Sequence, residues 1–194
     1  MLLTWLAVLS TVCQSRGAAL GRQKSGRLTG EIVSIHECKE NGEENNIRFS
    51  RNITRLHGAD GEFGGSTSFD LLKGTRAVTK GNIRFDFCSQ GVTKTCENYL
   101  NWRFGKDGCD LWTSKLTLWN KFVDAIQPSF VCPFHPGHYT ITNITLDAKK
   151  MEMIPVEDRE WFVTLQAYGD NEQPWMCTVF DVKLFRTGRR RGPK

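Results

Sequence analysis

Asn82-Ile83-Arg84-Phe85-Asp86-Phe87-Cys88 (NIRFDFC) decides the fold. Ile83, Phe85 and Phe87 share one parity, and Asn82, Arg84 and Asp86 share the other. Successive side chains of a strand point to opposite faces, so this alternation reads as a strand with one dry face. The rhythm recurs upstream. Ile47, Phe49 and Ile53 share a face within Ile47 to Thr54, and Thr67, Phe69 and Leu71 align in a later strand. Between them, His57 to Gly65 (HGADGEFGG) reads as a glycine-rich turn region. Downstream, Tyr139 and Ile141 start a strand. Trp161, Val163, Leu165 and Ala167 alternate in another, closed by Gly169, Asp170 and Asn171. The last run, Trp175 to Phe185, has Met176, Phe180, Val182 and Leu184 on one face and Cys177 on the other parity. With a first strand near Glu31 to His36, roughly seven strands imply a mostly β protein, a sandwich or a cup.

One segment breaks the rhythm. From Asp110 to Ile126 the apolar residues Trp112, Leu116, Trp119, Val123 and Ile126 recur at helical spacing, widened by Leu118 and Phe122. The spacing predicts one short helix around residues 110–126, stopped by Pro128.

The ends of the chain point to export. Met1 to Cys13 (MLLTWLAVLSTVC) is an apolar run too short to span a bilayer, and Ser15, Gly17, Ala18 and Ala19 follow. Residues 1–19 therefore read as a signal peptide cut between Ser15 and Ala19. Loss of the leader removes Cys13 and leaves Cys38, Cys88, Cys96, Cys109, Cys132 and Cys177. An even count behind a leader implies a disulfide framework, for which sequence alone permits about 15 pairings. Asn52-Ile53-Thr54 and Asn143-Ile144-Thr145 are N-glycosylation sequons, with Asn52 on the outward parity. Residues 20–30 read as a flexible lead-in, 31–186 as the domain and 187–194 as a basic disordered tail. The net charge of +5 comes from that end: Arg186, Arg189, Arg190, Arg191 and Lys194 carry it. The nearly neutral body implies no nucleic-acid partner. The tail is a solvated end or a weak attraction to anionic lipid headgroups.

Motifs of catalysis are missing from the sequence. Gly64-Gly65-Ser66-Thr67-Ser68 breaks the G-x-S-x-G pattern, and neither H-E-x-x-H nor a P-loop occurs. Cys132, His135 and His138 have spacing that could ligate zinc, but Pro133 and Pro136 separate them and Cys132 has a better use in a disulfide. The expectation is no metal, no cofactor and no enzyme.

Cys132-Pro133-Phe134-His135-Pro136-Gly137-His138-Tyr139 resembles the C-P-F-x-x-G-x-Y element of the ML lipid-recognition superfamily, most closely its ganglioside (sphingolipid) activator branch. The cysteine layout is similar: an early Cys38, the close pair Cys88 and Cys96, Cys109 at the apolar helical segment, and Cys177 in the final strand. The likeness covers roughly residues 31–186 and is stronger after Cys88. It implies an immunoglobulin-like β-sandwich opened into a hydrophobic cup. It also implies the pairs Cys38–Cys177, Cys88–Cys96 and Cys109–Cys132. One bridge of the activator branch has no counterpart, since its cysteine would fall on Phe130.

The resemblance implies a secreted or lysosomal lipid-binding protein that extracts, carries or presents a glycolipid, sterol or fatty acid. Its partners would be a lipid ligand, a transient membrane surface, and a lipid hydrolase or receptor. The candidate lining is Phe49, Phe69, Leu71, Phe85, Phe87, Leu116, Trp119, Phe122, Val163, Leu165, Phe180 and Val182, with Trp119 and Phe122 as a rim that dips into membranes. Inward aromatics on strands also make ordinary core. The rival reading is thus a filled sandwich acting as an extracellular protein-binding signalling or immune factor. A secreted hydrolase ranks behind both. A carrier predicts a connected apolar void of several hundred Å³ between the sheets.

Overall fold

Among the described residues, ten strands and two short helices follow one another. They are β1 (Arg27–Glu37), β2 (Ile47–Phe49), β3 (Thr54–His57), β4 (Glu62–Leu71), β5 (Lys80–Cys88), β6 (Cys96–Phe104), α1 (Gly108–Thr113), α2 (Asn120–Asp124), β7 (Ile126–Gln127), β8 (Gly137–Asp147), β9 (Arg159–Tyr168) and β10 (Pro174–Thr187). The computed structural model of the chain describes residues 26–38, 45–57, 62–89, 95–115, 117, 119–147 and 159–187. Arg27–Thr187 form one compact unit. The expected signal peptide, most of the expected lead-in and the expected basic tail lie outside the described residues, as do Leu116 and Leu118.

The strands form two antiparallel sheets, as the alternating runs require. One has the order β1-β10-β9-β5-β6 and the other β2-β4-β8-β7, with β3 also on β4. In the first sheet, Phe85 lies between Val163 of β9 and Leu100 of β6, so three inward apolar residues stand abreast. In the second, Phe69 lies between Phe49 and Tyr139, and its ring stacks on the tyrosine at 5.2 Å.

The two sheets meet along one side. β1 and β10 are the strands of the first sheet whose backbones approach β2, β3 or β4 most closely. Polar contacts seal that seam. Arg55 donates to the carbonyls of Ile32 and Val33, and the Phe49 amide donates to the Glu37 carboxylate at 2.8 Å. The Asn46 amide and side chain both donate to the Trp175 carbonyl, and the Asn45 side chain donates to that of Cys177.

The three disulfides are Cys38–Cys177, Cys88–Cys96 and Cys109–Cys132, the set the resemblance implies. The first joins β1 to β10 at the seam, and the second closes the β5–β6 pair. The third fastens α1 to the segment before β8. Such bonds fit a protein made in an oxidising, extracellular or secretory compartment. No described helix is long and apolar enough to cross a membrane.

Four readings need correction. The single helix over 110–126 is two short turns, α1 and α2. Ser114 is extended, and Thr113 and Thr117 hydroxyls bond backwards to the Cys109 and Ser114 carbonyls. Those local bonds compete with helix propagation, and Ile126 leaves the stripe to pair with Ile141 as β7. The strand over Ile47 to Thr54 is two strands. Phe49 faces Phe69 while Thr54 faces Ser66, so the chain bulges across Ser50–Ile53. The glycine-rich turn region ends early, because β4 already starts at Glu62. At Gly64 a Cβ would overlap the Ile144 carbonyl of β8, so this glycine serves a close strand approach rather than a turn. Finally, β1 begins at Arg27, inside the lead-in. Leu28 is buried, and a Cβ on Gly30 would press on Leu184 and Phe63.

Candidate functional site

Apolar side chains between the sheets gather into two clusters, one at each end of the strands. The first is built on Phe69, Leu71, Phe130, Phe134, Tyr139 and Trp175, all buried. Its rings are in mutual contact: Phe130 lies 4.6 Å from Phe134 and 4.9 Å from Tyr139, and Phe134 lies 4.9 Å from Trp175. Polar tips are satisfied at the margin. Trp112 donates to the Phe130 carbonyl, Trp175 to that of Lys73 and Tyr139 to that of His135. This end is a filled base.

The base is tied down by Asp170 in the β9–β10 turn. Its carboxylate accepts from the Thr75 hydroxyl at 2.7 Å, the Ala77 amide at 2.7 Å and Arg76 at 3.1 Å. Those donors favour the charged form and lower its pKa to about 2. All of these partners hold the turn, so the group acts as a structural clasp.

The second cluster holds Leu28, Ile32, Ile35, Phe63, Trp161, Val182 and Leu184, with Phe85, Phe87 and Phe180 only half-buried against it. From there the inner face of the first sheet runs out to β6 and loses its cover. Tyr99 is 43%, Leu100 49% and Trp102 39% exposed. Leu100 and Trp102 sit opposite Phe85 and Ile83 in register, so they continue the apolar face rather than the outer one. Tyr99 joins them at the bulge, edge-on to Trp161 at 5.5 Å. Between this wall and the second sheet stand the helical turns. Trp119 approaches Trp102 at 5.6 Å, and Phe122 meets Phe180 edge-on at 5.6 Å.

Among the described residues, two small cavities of about 20 Å³ each lie among the side chains of the first cluster, and Phe122 and Phe180 line one of them. They adjoin, since Trp112, Phe130, Leu165 and Met176 line both. Each has room for a water-sized group, well short of the several hundred Å³ expected of an open carrier; a cavity that takes benzene is nearer 150 Å³. The walls rest on one another instead. Among the described residues, the buried Thr178 Oγ1, whose residue lines one of these cavities, has no hydrogen-bond partner, and neither do the buried Trp119 Nε1 and Trp161 Nε1.

The expected lining residues divide accordingly. Phe69 and Leu71 are wholly buried in the base, where Phe69 also lines the cavity beside Phe122 and Phe180, and Val182 is buried in the second cluster. Phe49 touches both clusters and is half-buried. Phe85, Phe87, Trp119, Phe122, Val163, Leu165 and Phe180 are half-buried around the interior. Leu116 lies outside the described residues. The sequence reading missed Tyr99, Leu100, Trp102 and Thr178. For β6 the signal was present: Leu100, Trp102 and Phe104 alternate at period two. Thr178 carries no such signal, because a threonine within an apolar run is common in strands.

The remaining candidates are peripheral. Cys132 is in a disulfide and is no thiolate ligand, His135 is exposed, and His138 pairs with Asp70 at 2.7 Å on the surface. Among the described residues no cluster of histidine, cysteine and carboxylate could hold a metal. Asn52 and Asn143 are both exposed, and the Asn143 amide donates to Ser66. No protein-family model matches the chain, and no curated protein matches its sequence.

Proposed function

We propose that this is a secreted, ML-like lipid-binding domain that takes up an acyl-type lipid between its sheets and carries or presents it without catalysis. The observation that carries the reading is the lopsided interior. The sheets are sealed along β1, whereas the apolar face of β5 and β6 stays partly open, with Tyr99, Leu100 and Trp102 exposed. Half-buried Phe122 and Phe180 close the space behind. A lipid tail enters by parting such rings and replaces their mutual contacts with its own. Each buried CH₂ contributes about 0.8 kcal/mol, so a tail of about 14 carbons offers on the order of 10 kcal/mol before entropy costs. The Cys-Pro-Phe element and the disulfide set support the same reading. Exposed aromatics beside the entrance suit transient contact with a membrane surface, and a lipid hydrolase or receptor would be the recipient.

The test is organic extraction of the secreted, folded protein followed by lipid mass spectrometry, with uptake of fluorescent palmitate and of ganglioside measured alongside. Stoichiometric lipid or saturable uptake supports the proposal. A protein that is repeatedly empty and takes up neither probe overturns it. A second reading, an extracellular protein-binding factor, draws on the filled base and on the exposed Tyr99–Trp102 stretch of an edge strand. It expects an empty protein in that same experiment.

A further inference from the structure

The cavity lined by Phe122 and Phe180 is apolar except at one place. Thr178 lines it, is 1% exposed, and its hydroxyl has no partner among the described residues. Its neighbours on the same face of β10 are Met176 and Phe180, so the side chain stands in the row that faces the interior. A buried hydroxyl without a partner is costly, and valine would fill the same shape without that cost. A water is a poor partner here. The cavity is large enough for one, yet among its lining side chains the Thr178 hydroxyl alone lacks a partner, where a buried water needs two to four polar groups. A ligand that brings its own polar atom on an apolar chain meets both conditions.

We infer that Thr178 is a polar subsite at the inner end of the lipid space, selecting lipids whose buried end carries one neutral hydroxyl or carbonyl. A charged end is disfavoured, because no charged side chain lines the cavity to compensate it. The inference rests on the lipid-binding reading and adds the class of lipid.

The experiment compares palmitate with ω-hydroxypalmitate, which share a carboxylate and differ only at the other end. Binding of both is measured to the wild-type protein, Thr178→Val and Thr178→Ser. Wild type is expected to bind the hydroxylated lipid about 5–10-fold more tightly, the worth of one buried hydrogen bond. Thr178→Ser keeps that preference. Thr178→Val loses it, retains palmitate, and melts a few degrees higher without ligand. Equal binding of the two lipids by wild type overturns the inference while leaving the carrier intact, as does a preference that survives in Thr178→Val. Should Thr178→Val fail to fold, the wild-type comparison still decides. Binding of neither lipid overturns the inference, and lipid mass spectrometry judges the carrier separately.

Discussion

The two edges of the first sheet use the same kind of strand to opposite ends. β1 buries Leu28, Ile32 and Ile35, has its carbonyls capped by Arg55, and is bridged to β10 by Cys38–Cys177. β6 alternates just as well through Leu100, Trp102 and Phe104, yet every residue from Cys96 to Arg103 is exposed. The difference lies in the neighbour across the sandwich. β2–β4 approach β1, and no comparably close strand faces β6 among the described residues. An apolar face becomes core where a second layer reaches it and an open wall where none does.

Removing the bridges separates the two edges most sharply. Replacing Cys38 and Cys177 by serine frees a loop of 139 residues, and the chain-entropy model gives a loss of about 5 kcal/mol. Replacing Cys88 and Cys96 frees only 8 residues and costs about 2.5 kcal/mol. Urea titration reads both, and equal losses would break the contrast. Truncation comes next. Phe130→Ala empties the packed base and is expected to cost about 3–5 kcal/mol. Leu100→Ala, already half in water, should cost about 1 kcal/mol or less. The same Leu100→Ala, or Trp102→Ala, should lower fluorescent-lipid uptake several-fold. Unchanged uptake in both would remove the β6 wall from the site.

The smallest effect is identified by its pH dependence. Asp170 has a folded pKa of about 2, below the ordinary unfolded aspartate value of about 3.9. A lowered folded pKa means the charged form is favoured in the native state, so its contribution is complete above about pH 4. It fades as the pH falls through 2. Asp170→Asn should therefore be less stable than wild type at neutral pH, with the gap closing between about pH 4 and pH 2. A gap that does not change with pH would mean the clasp works through shape alone.

Much of the fold was legible. The parity of Ile83, Phe85 and Phe87, of Trp161 to Ala167 and of Met176 to Leu184 matches the inner face, because period two survives any arrangement of the sheets. The stripe from Trp112 to Ile126 was misread for a related reason. Its described apolar residues Trp112, Trp119, Phe122, Val123 and Ile126 are partly or fully buried, but a disulfide at Cys109 and a strand pairing at Ile126 hold them there without a continuous helix. In the site, Phe69 and Leu71 looked the same as Phe85 and Phe87 in sequence. Only the second pair lies where cover runs out.

By itself, the sequence determined which side of each strand is greasy and that six of its seven cysteines form a set suited to an oxidising compartment. Those are local properties, set by residue type and the two-residue repeat of an extended backbone. Where the sheets close, which phenylalanines are packed and which stay half in water, and that Thr178 ends up with its hydroxyl unmatched, were decided by tertiary structure alone. Each depends on distances between segments far apart in the chain, and no local pattern encodes them.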